Sequence, residues 1–144
     1  MIDYAEIEDG IKALLTPLIK THGVRTLDSY GGEFNESEII SNGGVILVYP
    51  AILINIEGFV FDDSVRQAER GYDIRIYCAD VHSRGDIPAR SGVYGLLKAV
   101  RDLINRKNIP GGNNPILLVS EKKEFYSKNL KLCLYSGSYK IKMR

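Results

Sequence analysis

Residues 52–61, ILINIEGFVF, and residues 72–79, YDIRIYCA, decide how this chain folds. In the first, Ile52, Ile54, Ile56 and Val60 fall on one face and Asn55 and Glu57 on the other. In the second, Ile74, Ile76 and Cys78 alternate with Asp73, Arg75 and Tyr77. Successive side chains of a strand point to opposite faces, so a period of two marks half-buried strands. The charged stretch Asp62–Gly71 between them fits the connection of a long hairpin. Working outward, further strands are expected at Val24–Ser29, in the apolar run Val45–Tyr49, at Ile116–Tyr126, at Leu130–Tyr135, and at Tyr139–Met143 after a Ser-Gly-Ser break.

Two segments carry the helical period instead. Tyr4, Ile7, Ile11, Leu14 or Leu15, and Leu18 form one apolar stripe, opened by Asp3 and Glu6 at capping-box spacing. Pro17 lacks an amide hydrogen and clashes with the preceding turn, so this helix must kink or restart there, with His22-Gly23 as its stop. The second helix covers at least Val93–Lys107, with Tyr94, Leu97, Val100 and Leu103–Ile104 as its buried stripe and Pro88 near its start. A single helical turn is expected at Glu36–Ser41, and the Gly/Pro-rich Asn108–Pro115 ends the second helix. Together these elements predict an α+β fold: a two-layer sandwich in which two main helices pack on a mostly antiparallel sheet of five to six strands. Because each strand shows a polar outward face, a parallel sheet covered on both sides is not expected.

Composition agrees with a single domain spanning residues 1–144. The chain is 44% hydrophobic and 26% charged, and 19 Lys+Arg against 18 Asp+Glu leave a formal net charge of +1. That balance argues against an electrostatic grip on DNA. The two cysteines, Cys78 and Cys133, lie in apolar strand-like runs and are expected to be buried thiols in a reducing cytosol. The N-terminal residues carry acids rather than a signal pattern, and no apolar stretch reaches membrane-spanning length.

A search for chemistry finds little. His22 and His82 stand alone, no zinc-ligand spacing occurs, and the paired glycines at 31–32, 43–44 and 111–112 precede no phosphate-binding helix. Cys78 with His82 is the only local nucleophile–base pair, and burial would leave the thiol unactivated. Glu121-Lys122-Lys123-Glu124 could contribute carboxylates to a metal nuclease but also fits a solvated strand face. Arg84-Gly85-Asp86 matches the integrin tripeptide in a chain without extracellular features. Lys140, Lys142 and Arg144 on one face of the last strand suit edge protection, or alternatively a basic strip facing an acidic partner or DNA. No catalytic residue, cofactor or metal is therefore expected.

The sequence resembles the small tail-terminator (tail-completion) proteins of Mu-like contractile-tailed phages and prophages. The resemblance runs through IDYAEIEDGIKALLTPL (2–18), VRTLDSYGGEF (24–34), GGVILVYP (43–50), YDIRIYCADVHSRGD (72–86) and ARSGVYGLLKAVRDLI (89–104), and it lies in their order and spacing. It implies a non-enzymatic subunit that closes into a homo-oligomeric ring, a hexamer, capping the tail tube and meeting head-completion proteins. DNA contact would be incidental, through the central channel. The setting implied is the host bacterial cytoplasm, and the virion tail of an intact phage. Heterologous ring contacts are expected from strand edges and from the loops Asp62–Gly71, Asp80–Ile87 and Asn108–Pro115. Within or near these, Asp62, Asp63, Arg66, Arg70, Arg84, Asp86 and Arg90 are candidate subunit or tube contacts by charge alone. The alternative left open is a small cytosolic enzyme or nucleic-acid-processing protein with a dispersed site.

Overall fold

The two deciding stretches pair with each other. In the computed structural model, which describes residues 3–30, 48–60, 71–81, 86–110, 112, 114–127 and 131–142, β2 (Ala51–Val60) and β3 (Gly71–Val81) run antiparallel. Ile52 faces Cys78, Ile54 faces Ile76 and Ile56 faces Ile74, so the apolar sets share one side of the sheet. A bulge after Ile56 then shifts the register, pairing Gly58 with Asp73 and Phe59 with Tyr72. The extra residue reverses the alternation. Phe59, not expected on the apolar face, thus packs edge-on against Tyr72 with ring centroids 4.7 Å apart.

The chain is an α+β fold whose remaining strands are β1 (Thr26–Ser29), β4 (Ile116–Ser127) and β5 (Leu132–Lys142). The sheet order is β1-β2-β3-β5-β4, with β1 parallel to β2 and the other neighbours antiparallel. The expected Ser-Gly-Ser break does not occur: Ser136, Gly137 and Ser138 lie inside β5, paired to β3 and β4 on either side. Gly137 is small because the Tyr139 ring lies beside it, where an added Cβ would stand 3.0 Å from a ring carbon. Ser136 is buried and donates its hydroxyl to Glu124 Oε1 at 2.6 Å. Of the other expected elements, the helical turn at Glu36–Ser41 lies outside the described residues, as does most of Val45–Tyr49.

The helices are α1 (Tyr4–Leu15), α2 (Leu18–Thr21) and α3 (Asp86–Ile104). Asp3 Oδ1 accepts the Glu6 amide at 2.8 Å, the expected cap. The break at Thr16-Pro17 separates α1 from α2, and Gly23, at φ +64°, turns the chain out of α2. α3 begins two residues ahead of Pro88, in a first turn that tolerates proline, and ends before the expected Lys107. It ends there because Arg106 takes a φ of +65° and its amide bonds to the Ile116 carbonyl at 2.6 Å. Its buried stripe is Val93, Leu96, Leu97, Val100 and Ile104. Tyr94, expected in that stripe, is 47% exposed.

α1 packs over β2, and α3 over β3 and β5. Ile7, Ile11 and Leu15 meet Ile52 and Ile54, and the α3 stripe meets Ile74, Ile76 and Cys78, in one continuous core. The opposite face is not polar throughout. Leu53, Ala79, Leu132 and Leu134 are buried there, packed by Tyr30, Tyr49 and Tyr77.

This packing makes Ile54→Ala costly, at about 2–5 kcal/mol for a fully buried side chain. Gly10→Ala is expected to cost roughly 1–3 kcal/mol by overpacking, because its Cβ would stand 2.9 Å from Ile109 Cβ. Urea titration should show both, with the exposed control Ala13→Ser within about 0.5 kcal/mol of the parent.

Candidate functional site

Strand parity separates the groups that could have done chemistry together. Glu121 and Glu124, three positions apart, would converge on a helix but not on a bulged strand. Register shifts after Leu118 and after Lys123 flank the segment. Glu121 turns toward α3 and lies 3.4 Å from Arg101, whereas Glu124 turns to the opposite face, 3.9 Å from Arg75 and 3.7 Å from Lys122. Both carboxylates are half-buried, so Glu121–Glu124 is not simply a solvated strand face. Among the described residues no group of three or more His, Cys, Asp or Glu side chains could hold a metal ion.

On the helix side, Glu121 and Arg101 form a partly covered pair above the sheet, close to Tyr139 and Cys78. Burial pushes the Tyr139 phenol up from its ordinary range, with the Cys78 thiol and the Glu121 carboxylate adding to the shift. The Cys78 thiol is pushed up as well, first by burial and then by Glu121. A nucleophilic cysteine needs the reverse environment. Cys133 is also buried and free. His22 is exposed, its Nδ1 lying 2.8 Å from Thr21 Oγ1, while His82 lies outside the described residues.

On the other face, Arg75 stands 3.6 Å from Glu57 and 3.9 Å from Glu124, joining β2 to β4 across the intervening strands. Burial pushes the Tyr49 phenol at the apolar end of that face up to about 12. A groove of about 410 Å³ runs between the α2 segment and α3, lined by Leu18, Ala99 and Leu103 together with His22, Lys98 and Asp102. It brings no acid–base pair onto a common point, because Lys98 and Asp102 bond each other at 2.8 Å.

Of the expected contact residues, Asp62, Asp63, Arg66, Arg70 and Arg84 lie outside the described residues. Asp86 and Arg90 sit on the backbone of the first two turns of α3, not in a loop. The expected loop Asp80–Ile87 is correspondingly shorter, since β3 runs through Val81. Nor do Lys140 and Lys142 protect an edge, because β5 is flanked by β3 and β4. Among the described strands the outer one beyond β5 is β4, carrying exposed Lys122 and Lys123. The pairs Arg101–Glu121 and Arg75–Glu57 are not among the sequence-based expectations. Their only trace in the sequence is a charge recurring within otherwise apolar strands and helices.

The sequence matches no family model and no curated protein. A match does exist among solved structures. A chain from the virion of a native gene transfer agent particle superposes on this one with a TM-score of 0.56 at 10% identity. The match covers 97% of this chain and 98% of that chain. At that identity the likeness is one of fold.

The buried groups lead to two measurements. Cys78 and Cys133 should react with a thiol probe in the native state at least ~100-fold more slowly than in urea; comparable rates would contradict their burial. Tyr49 and Tyr139 hold folded values above the unfolded value of about 10. Their contribution to stability is therefore complete below pH ~10 and lost as pH rises through the folded values. Absorbance at 295 nm should show a late tyrosine fraction ionising together with unfolding.

Proposed function

We propose that this protein is a structural subunit of a phage-type tail. In this reading it forms a homo-oligomeric ring, a hexamer, that caps the tail tube, ends its polymerisation and presents a surface to head-completion proteins. The observation that carries the reading is the end-to-end fold likeness to a chain of a virion particle. A local likeness would have pointed to a shared motif, whereas this one spans both chains almost completely.

Three further features support it. The sequence resemblance to tail-terminator proteins follows the element order now seen, from α1 through α3. Residues from both ends of the chain belong to one architecture, with α1 packed on the sheet that β5 completes, which suits a single domain over residues 1–144. The described carboxylates, thiols and histidine do not converge, so the polar groups are better placed for contacts than for catalysis. The partners implied are other copies of the chain, the tube and the head-completion proteins, with no cofactor and no enzymatic step. DNA passing through the channel would touch the ring only incidentally. Among the described residues no helix is long and apolar enough to cross a membrane. The expected setting is the host cytoplasm and then the tail of the particle.

The reading is tested by sedimentation velocity and negative-stain imaging of the full chain, alone and with the tube protein from the same genome. Closed rings are expected, together with shorter tubes when the chain is added during polymerisation. A monomer in both conditions, with tube lengths unchanged, would overturn the proposal.

A further inference from the structure

The geometry points to a two-fold, self-complementary contact between copies, made by the adjoining acidic and basic surfaces of α1 and of the chain that leaves α3. This contact goes beyond the ring reading and does not rest on it. It pairs whatever species the chain forms, single copy with single copy or ring with ring.

Asp3, Glu6 and Asp9 follow one another three positions apart along α1 and its cap, and all three are exposed. That spacing aligns their side chains along one side of the helix. Glu6 stands one turn before Gly10, where α1 receives the chain that leaves α3. A Cβ on Gly10 would lie 2.9 Å from Ile109 Cβ and 3.5 Å from Pro110 Cδ. Shortly before that contact come Arg106 and Lys107, both exposed. Their backbone is fixed at the start of β4. The Arg106 amide bonds to the Ile116 carbonyl at 2.6 Å, and the Ile116 amide to the Lys107 carbonyl at 2.9 Å. The short run from Lys107 to Pro110 therefore has the basic pair at one end and the acidic row at the other.

Although they adjoin, the two sets do not cancel within one copy. Among the described residues no ion pair involves Asp3, Glu6, Asp9, Arg106 or Lys107, whereas Lys12 pairs with Asp28, Lys98 with Asp102 and Arg101 with Glu121. A second copy, turned half a revolution about an axis through the Ile109–Pro110 junction, satisfies both sets at once. It brings its Arg106 and Lys107 over this copy's acidic row, and its acidic row over this copy's basic pair. Each attraction then occurs twice, and the contact closes at two. Exposed Pro110 adds apolar surface at the junction. The formal net charge of +1 leaves little long-range repulsion between copies. Exposed charge pairs are individually weak and are screened by salt, so the pairing is weak and salt-sensitive.

The experiment is sedimentation velocity of the full chain at about 20 mM and about 500 mM salt. The mass should double at low salt, and the doubling should disappear at high salt. Two variants carry the test further, with folding checked by thermal melting. Glu6→Lys/Asp9→Lys makes the patch mostly basic, and Arg106→Glu/Lys107→Glu makes it acidic throughout. Each alone should pair at least ~10-fold more weakly than the parent. Their equimolar mixture should pair again, one to one, because a basic patch then meets an acidic one. If the α1 variant does not fold, the Arg106/Lys107 variant, altered only at exposed side chains beyond α3, decides against the parent. A parent that does not double at low salt overturns the contact. So does a folded variant that doubles like the parent, or a mixture of folded variants that does not double. None of these outcomes bears on the ring reading, which is read from closed rings in images and from tube length.

Discussion

The antiparallel register of β2, β3 and β5 is the constraint on which the rest of the molecule depends. It sets Ile54 opposite Ile76 and Ile76 opposite Gly137, which places the apolar side chains of three strands on one face. A slip of one residue would send each of those isoleucines to the other side and leave both helices without a surface to cover. Each fully buried isoleucine is worth roughly 1.5–3 kcal/mol relative to exposure. Few alternatives can therefore compete with the observed register. The bulges fall beyond this central block, where the cost of irregularity is smaller.

The helix layer follows from that face but does not extend over all of it. α1 covers the β2 side and α3 the β3 and β5 side, so β4 is reached only by the flank of α3. Beside the apolar packing of Ile116 in the core, that flank makes polar links. Arg101 faces Glu121 and Asn105 bonds the Leu118 amide on β4, while Tyr94 Oη lies 3.1 Å from Tyr135 Oη on the adjoining β5. Tyr94, Arg101 and Asn105 are seven and then four positions apart, close to two turns and one turn of a helix, so they line one side of α3. The core thus reaches β4 at Ile116 and is joined there by charge at Glu121.

How much of this was legible in the sequence depended on how local each signal was. The alternation in 52–56 and 72–78 and the Asp3 cap are local, and they appear as expected. The failures have equally definite causes. Ser136-Gly137-Ser138 has turn composition, but its glycine makes room for the Tyr139 ring and its first serine bonds Glu124, both facts about other residues. Phe59 changed faces because a bulge adds one residue, which periodicity cannot register. Lys140 and Lys142 suggest an edge guard because β5 is last in sequence, yet β4 is last in space. The contact candidates in 62–70 and Arg84 were legible only as charge. Charge marks solvent exposure more reliably than it marks a partner.

The same two-residue parity that builds the core also works against a catalytic site on the sheet. Acids brought near one another in sequence by 121–124 are sent to opposite faces, where each is held by a different arginine. Such pairs tie strands and helix together, and they leave little carboxylate free for an ion or substrate. The charges on α1 and those just after α3 lie near one another, because Gly10 of α1 packs against Ile109. On the sheet, the carboxylates of Glu57, Glu121 and Glu124 are instead part of the packing of strand on strand and helix on sheet, because each already has a cationic partner.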